Sequence, residues 1–179
     1  MTREPAAAGH MVNGIDMDAF EEALAKVAST EGAHKGAKSS RVRWLGGVKL
    51  KCHVRNHTFM VDEPPHLAAD DEAPNAVEYV VGALGACYAT GLILNASRQG
   101  IKLRNLEITV ETTQANVFKF LGINDDGHPG IDSVRVKAYV QADADEQTIR
   151  KLWERTVETS PVGNTLTREA PITTELSIL

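Results

Sequence analysis

The chain has 179 residues and a net charge of −5 at pH 7, and 42% of its residues are hydrophobic. This length suits one domain with an extension rather than two full domains. The acidic balance and the lack of a polybasic run argue against nucleic acid and against an anionic membrane as partners. We therefore expect the partner to be a small molecule or another protein.

The cysteine count and the first residues bear on the cellular compartment. Two cysteines, Cys52 and Cys87, are too few for a disulfide-stapled secreted protein. Residues 1–11 lack an apolar core long enough for a signal peptide. We therefore expect a cytoplasmic protein.

The N-terminal part predicts one short amphipathic helix. Residues 1–13 are expected to be disordered, and Asp16 or Asp18 can then cap a helix that ends before Gly32. The apolar residues of this helix fall at helical spacing, at Met17, Phe20, Leu24 and Val27.

The hydrophobic pattern changes to a period of two at residue 41. After a linker-like segment at residues 31–40, apolar and polar residues alternate over three short stretches that are separated by turn residues. This alternation predicts a three-stranded antiparallel meander. The sequence thus predicts an N-terminal extension over residues 1–38 and a main domain over residues 39–179.

Two kinds of side chain in this meander bear on chemistry. Cys52 shares a strand face with apolar neighbours, so we expect it to lie in the core as a small hydrophobic residue. His53 and His57 are four residues apart, but a predicted turn separates them and no carboxylate or thiol ligand lies nearby. They are typical of a surface pair, so neither a metal site nor a cofactor is predicted.

Residues 75–95, NAVEYVVGALGACYATGLILN, carry the strongest signal in the chain. Asn75 and Glu78 form a capping-box pattern, and Arg98 followed by Gly100 is a stop signal. The predicted helix has about six turns. A helix of this length could span a bilayer, but its three glycines and the absence of an aromatic belt favour a buried core helix.

The faces of this helix predict an assembly. Bulky residues lie along one stripe, at Val80, Leu84, Tyr88 and Leu92. Small residues lie along another, at Gly82, Ala86 and Ala89. Because the helix is apolar on more sides than one sheet layer can cover, we predict a homodimer whose closest approach is at the small-residue stripe.

The rest of the chain predicts further strands and a second amphipathic helix. Alternation indicates strands at residues 106–110, 134–140 and 172–178. The helix begins after Asp143 or Asp145 and stops before Pro161. This order of elements is typical of an α+β fold with a largely antiparallel sheet.

Five short motifs stand out along residues 39–179. They are VDEP at residues 61–64, APNAVEYVVGALGAC at 73–87, FLG at 120–122, DADE at 143–146 and SPV at 160–162. Together they resemble the OsmC/Ohr family of osmotically induced and organic hydroperoxide resistance proteins. The resemblance implies an OsmC-like antiparallel sheet wrapped around a buried central helix, in an intertwined homodimer with active sites at the subunit interface.

The resemblance also implies a reaction. In the peroxidase members of the family, a cysteine on the central helix attacks the peroxide and a second cysteine, in a Cys-Pro element, forms a disulfide with it. Lipoylated proteins or other dithiols then reduce this disulfide. Cys87 corresponds to the attacking cysteine, and Ser160 stands at the resolving position, where the cysteine is absent. Cys52 is then the one intramolecular thiol left to join an oxidised Cys87.

The same resemblance implies a glutamate and an arginine near the sulfur. The glutamate expected ten residues before the attacking cysteine falls on Val77, and Glu78 lies one position later, about 100° around the helix. The arginine of the first hairpin corresponds to Arg43 or Arg55. A cation must come from such a residue, because the helix dipole fades within the first turn and Cys87 lies further along.

Small side chains around Cys87 on the predicted helix indicate room for an apolar substrate. The predicted pocket residues are Ala83, Leu84, Thr90 and Gly91. We therefore predict an OsmC-like thiol-dependent peroxidase that reduces organic hydroperoxides through Cys87 with an external thiol reductant, in oxidative stress defence. The alternative is a noncatalytic dimeric stress or small-molecule-binding protein of the same fold, in which Cys87 is a packed, inert thiol.

Overall fold

The computed structural model describes residues 9–178. Its elements in chain order are β1 (Met11–Val12), β2 (Ile15–Asp16), α1 (Met17–Ala28), β3 (Arg41–Gly46), β4 (Lys49–Val54), β5 (His57–Val61), a 3-10 turn (Pro65–Leu67), α2 (Ala76–Arg98), β6 (Leu103–Gln114), α3 (Val117–Phe120), β7 (Ile131–Ala142), α4 (Glu146–Thr159) and α5 (Pro161–Thr167). All strand pairs are antiparallel. The predicted α+β class is confirmed.

The chain divides into two compact units, one up to Gly82 and one from Ala83 onward. The first unit holds the N-terminal elements and the β3–β4–β5 sheet, and the second holds the β6–β7 hairpin with α4 and α5. The division falls within α2. The extension over residues 1–38 stays a prediction.

A small hairpin precedes α1. β1 and β2 are joined by Asn13 and Gly14, whose positive φ angles of 51° and 78° are those of a tight two-residue hairpin turn. The Asp16 carboxylate then accepts the Ala19 N–H at 3.1 Å and caps α1. The prediction that residues 1–13 are disordered is therefore wrong for residues 11–13, and for residues 1–8 it lies outside the described residues.

The three-stranded meander of the first unit is confirmed. β4 lies between β3 and β5, which leaves β3 and β5 as the edges of this sheet. Cys52 stands opposite Val42 on β3 and Phe59 on β5, and it is only 6% exposed. It points into the core, as its alternation with charged neighbours predicts.

Helix α2 begins and ends where the sequence signals place its ends. The Glu78 N–H donates to the Asn75 side chain at 2.9 Å, and the Asn75 N–H donates to the Glu78 carboxylate at 2.8 Å. These reciprocal bonds form the predicted capping box. At the other end Gly100 has a φ of +68°, and the next N–H, that of Ile101, bonds the Ala96 carbonyl at 3.0 Å.

One buried carboxylate organises the loop that leads into α2. Asp62 is 1% exposed, and its two oxygens accept the backbone N–H groups of Glu72 at 3.1 Å and Glu63 at 2.9 Å. These bonds lower the pKa of the Asp62 carboxyl, and the bond from the Glu72 N–H contributes most. The ionised side chain thus closes the loop of about ten residues that positions the start of the helix.

The second unit has a compact apolar core built on the C-terminal half of α2. Leu92 and Ala96 pack with Leu152 of α4, and side chains of β6 and β7 cover them from the sheet side. One turn earlier, the Tyr88 ring meets Trp153 edge-on with a centroid distance of 5.4 Å. The sheet of this unit is the long β6–β7 hairpin, which is paired from Leu103 and Ala142 at its open end to Gln114 and Ile131 at the other.

The region after α4 differs from the sequence-based expectation in two respects. Ser160 ends α4 and also caps α5, with Pro161 at the first position of the new helix. This second helix was not predicted. Residues 168–178 form no helix or strand in the described chain, so the predicted final strand at residues 172–178 is wrong.

The physical reason for the missing strand is the lack of a partner. A strand must pair its N–H and C=O groups with a neighbouring edge, and apolar alternation alone cannot supply that edge. In the described chain, Ile172, Leu176 and Ile178 remain 88%, 84% and 89% exposed. This segment therefore carries an unpartnered apolar face.

Gly91 of α2 faces Thr156 of α4. A Cβ at this position would lie 3.0 Å from the Thr156 methyl group. Thr156 is 1% exposed, and its hydroxyl donates to the Leu152 carbonyl at 2.8 Å and accepts from Asn95 at 3.1 Å. Since both bonds fix the threonine rotamer, its methyl group cannot turn away.

We predict that Gly91→Ala lowers the free energy of unfolding. Overpacking costs about 1–3 kcal/mol, and the better helix propensity of alanine offsets about 1 kcal/mol of this, so the expected net loss is about 1 kcal/mol. Urea denaturation measures it. Thr156→Ser removes the methyl group but keeps the hydroxyl, so the double variant should recover most of the loss relative to Thr156→Ser alone. Equal losses in both backgrounds would contradict this contact.

Candidate functional site

Cys87 lies partly exposed on α2, at the wall of a cavity of about 650 Å³ in the second unit. The wall is formed by one face of α2, the last turn of α4 and the start of α5. The lining residues are Ala83, Ala86, Cys87, Thr90, Gly91, Leu94, Asn95, Thr156, Thr159, Ser160 and Pro161. The volume is that of a site for a small organic molecule.

Three of the four pocket residues chosen from sequence line this cavity, namely Ala83, Thr90 and Gly91. The fourth, Leu84, is not among the lining residues and is 4% exposed on the buried side of α2. Sequence reasoning missed the contribution of α4. Its residues are distant along the chain, so no local pattern could have brought them to Cys87.

The wall of the cavity is neutral. Within residues 83–178, no charged side chain lines it, and the polar groups are the hydroxyls of four residues with the Asn95 amide and the Cys87 thiol. A charged ligand would lose its hydration here without gaining an opposite charge from these residues. The cavity therefore suits an uncharged, largely apolar ligand.

The Ser160 hydroxyl lies against the Cys87 sulfur. Its Oγ donates a hydrogen bond to Cys87 Sγ at 3.2 Å and accepts the Gly163 N–H at 3.1 Å. Ser160 is 4% exposed. The structure thus brings together the two positions that the family resemblance relates, with the Ser160 hydroxyl at the position that the resemblance assigns to the resolving cysteine.

Tyr88 and Gly163 pack behind this pair. A Cβ at Gly163 would lie 2.7 Å from the Tyr88 hydroxyl oxygen and 3.2 Å from Ser160 Oγ. Only a glycine lets both hydroxyls approach the backbone here. Burial, followed by the charge of the adjacent Cys87 thiolate, raises the pKa of the Tyr88 phenol, so the phenol keeps its proton.

The other residues chosen from sequence lie in the first unit. Glu78 is exposed and engaged in the capping box, Arg43 is exposed on β3, and Arg55 lies in the turn after β4 with a φ of +54°. Cys52 is buried in the β3–β4–β5 sheet. Whether an arginine or Cys52 reaches the Cys87 sulfur stays a prediction.

Comparison with known proteins identifies the family. A family model described as OsmC-like protein matches residues 69–175, which is more than half of the chain. The chain belongs to the OsmC-like family. No curated protein matches it. The resemblance drawn from the short motifs around Cys87 is confirmed.

Solved structures of OsmC-like proteins share the fold. An OsmC-like protein from Mycoplasma pneumoniae superposes with a TM-score of 0.63 at 16% identity, covering 74% of this chain and 89% of that one. An organic hydroperoxide resistance protein OsmC from Legionella pneumophila gives 0.55 at 16% identity, with 73% and 89% covered. One from Elizabethkingia anophelis, named an organic hydroperoxide resistance protein, gives 0.52 at 16%, with 73% and 87% covered.

The OsmC-like fold also bears on the apolar character of α2. In the described residues, this is the one helix long and apolar enough to cross a membrane by length and composition. The core helix of a soluble protein passes the same test. Because α2 is the central helix of an OsmC-like domain, no membrane is indicated.

We predict that Ser160→Cys forms a disulfide with Cys87 when the protein is oxidised with diamide. The two atoms at these positions are 3.2 Å apart, and they need to close to about 2.05 Å. Peptide mass spectrometry under non-reducing conditions identifies the bond. Ser133→Cys places a thiol on an exposed site of β7 and should leave Cys87 reduced. A folded Ser160→Cys protein that retains both thiols would contradict the observed geometry.

Proposed function

We propose that this OsmC-like protein reduces organic hydroperoxides through Cys87 and an external thiol. The observation that carries the proposal is a partly exposed thiol facing a neutral cavity of about 650 Å³, with a buried hydroxyl donating to its sulfur. Family membership supports it, as do the names of the similar structures from Legionella pneumophila and Elizabethkingia anophelis. The assignment implies a role in oxidative stress defence.

The proposed first step is attack of the Cys87 thiolate on the terminal peroxide oxygen. An S–O bond forms and the O–O bond breaks, so the sulfur is oxidised to a sulfenic acid and the alkoxide takes a proton to leave as an alcohol. Arg43 or Arg55 is the proposed cation for the alkoxide. Glu78 is the proposed carboxylate partner of that cation.

The return to the thiol uses two external thiol groups. The first condenses with the sulfenic acid, releases water and leaves a mixed disulfide on Cys87. The second attacks this mixed disulfide, frees the Cys87 thiol and leaves the external pair as a disulfide. A dithiol or a lipoylated protein supplies both groups in one molecule. Cys52 is the alternative intramolecular partner, provided that it reaches the sulfenic acid.

A second function is favoured by one observation. The resolving position carries Ser160, which cannot form a disulfide, so the two-cysteine cycle of the family's peroxidases is not available through this position. A serine at this position is compatible with a protein that binds an uncharged small molecule in the neutral cavity without turnover. Peroxide consumption that depends on Cys87 separates the two functions.

We predict that the wild-type protein consumes cumene hydroperoxide when dithiothreitol is supplied. Cys87→Ser should reduce the rate to that of the solution without protein, because the attacking atom is lost. Cys52→Ala is the matched control, since it removes the other thiol from the core, and it should retain turnover. The remaining peroxide is measured by ferrous oxidation in xylenol orange.

The outcome of this assay decides the function. Equal peroxide loss in wild type and Cys87→Ser, with both folded by circular dichroism, would contradict the peroxidase function. The protein would then be assigned as a noncatalytic binding protein. If Cys52→Ala alone stops after one turnover, Cys52 is the resolving thiol. In that case, peptide mass spectrometry of the peroxide-treated wild-type protein shows a disulfide between Cys52 and Cys87.

We further propose a cytoplasmic homodimer. The unpartnered face at Ile172, Leu176 and Ile178 supports a second copy as its cover, because these side chains alternate with polar ones as in an edge strand. In this arrangement the apolar face of residues 172–178 packs on the partner. The small-residue stripe of α2 is the proposed site of closest helix approach.

We predict that the protein sediments at twice its chain mass of 19.4 kDa. Leu176→Asp should raise the dissociation constant about 100- to 10,000-fold, because the dimer buries two copies of this leucine and each contributes about 1.5–3 kcal/mol. Ser177→Asp adds the same charge to the opposite face of the segment and should leave the dimer intact. Sedimentation velocity measures all three proteins. A wild-type monomer at micromolar concentration, or equal effects of both variants, would overturn the assignment.

A further inference from the structure

We propose that the Ser160 hydroxyl activates Cys87 by donating a hydrogen bond to its thiolate, in addition to capping α5. The inference rests on the proposed function, because it assigns a role in the step that Cys87 performs. It does not require that the electrophile is a hydroperoxide. It concerns the reactivity of the thiol itself and holds for any electrophile.

The direction of the hydrogen bond follows from the bonding capacity of a hydroxyl. A serine hydroxyl has one hydrogen to donate and two lone pairs to accept. The Gly163 N–H occupies one lone pair at 3.1 Å, and Ser160 is 4% exposed, so water has little access to the rest. The hydrogen is then directed to Cys87 Sγ at 3.2 Å.

The two bonds of Ser160 reinforce each other. A hydroxyl oxygen that accepts an N–H is polarised and becomes a better donor. A hydrogen bond to a charged acceptor also contributes more than one to a neutral acceptor. The bond to sulfur therefore favours the thiolate over the thiol.

Capping alone does not account for a serine in this position. Aspartate caps both α1 and α4 in the same chain, at Asp16 and Asp145. An aspartate at residue 160 would cap α5 equally well, but it would place a negative charge beside the sulfur and has no hydrogen to donate when ionised. A hydroxyl serves both neighbours, because its oxygen accepts the Gly163 N–H and its hydrogen is donated to Cys87 Sγ.

The surroundings leave few other groups to set the charge of the sulfur. Within residues 83–178, Cys87 is the one titratable group that lines the cavity, and Tyr88 is the titratable group next to it. The raised pKa of Tyr88 keeps the phenol neutral while the thiolate forms. Ser160 is thus the donor in this unit that contacts the reacting atom.

The test is the rate at which iodoacetamide alkylates Cys87 from about pH 5 to pH 10. Ser160→Ala and Ser160→Gly both remove the hydroxyl, and glycine is a nearly equivalent helix cap. Each variant should move the midpoint of the rate profile upward by about one pH unit, which is about a tenfold change in thiolate fraction. Cys87 is followed by peptide mass spectrometry, which separates it from Cys52.

The shape of the profile distinguishes activation from a structural role. A more basic thiolate is also a better nucleophile, with a Brønsted slope of about 0.4–0.5. The variants should therefore react about threefold more slowly than wild type below the midpoint and about threefold faster above it. A loosened site would instead change the rate in the same direction at every pH.

Asn164→Ala is the matched control. Its side-chain amide bonds the carbonyls of Glu158 and Ser160 at 2.8 and 2.9 Å, so the variant weakens the same turn without removing the hydroxyl. It should keep the wild-type midpoint. Ser160→Ala and Ser160→Gly profiles that superpose on wild type, or a shift of the same size in Asn164→Ala, would overturn the proposal.

The alkylation profile and the peroxide assay fail independently. A shifted midpoint without peroxide turnover supports the hydroxyl as activator and removes the peroxidase function. Peroxide turnover with an unshifted midpoint in both Ser160 variants retains the peroxidase function and overturns the role of Ser160. Ser160→Thr keeps a hydroxyl and should restore the wild-type midpoint.

Discussion

The contact between α2 and α4 at Gly91 and Thr156 is the constraint on which the geometry around Cys87 depends. Because Gly91 has no side chain and Thr156 is held by two hydrogen bonds, the helices approach to a fixed distance. Ser160 directly follows the last residue of α4. Thr156 lies about one helical turn before Ser160, and Gly91 lies about one turn after Cys87, so this contact brings together the turns that carry the 3.2 Å bond between Ser160 and Cys87.

The parts of the fold that depend on neighbouring residues could be predicted from the sequence. The ends of α2 followed from the capping box at Asn75 and Glu78 and from Gly100, since capping involves residues within one turn. Two further local signals lie in the sequence. Asn13-Gly14 is a hairpin turn sequence, and Ser160-Pro161 is the start of a helix as well as the end of one.

The parts that depend on distant residues could not be predicted. Alternation at residues 172–178 is a correct description of the side chains, but a strand also needs an edge to pair with, and the sequence does not say which chain supplies it. The family resemblance related Ser160 to Cys87 only through a missing cysteine. The bond from the Gly163 N–H to this hydroxyl is a local helix cap. The bond from the hydroxyl to the sulfur joins residues 73 positions apart, which no local pattern specifies.

The replacement of a thiol by a hydroxyl at Ser160 has a kinetic consequence for the proposed cycle. A resolving cysteine at this position would capture the sulfenic acid in a first-order step, and an external thiol would be needed only afterwards, to reduce the disulfide. A hydroxyl cannot capture the sulfenic acid as a disulfide. Without an intramolecular thiol, removal of the sulfenic acid becomes second order, and the lifetime of this acid lengthens as the supply of reduced thiols falls. The fraction of oxidised protein would then record the ratio of hydroperoxide to reductant in its compartment.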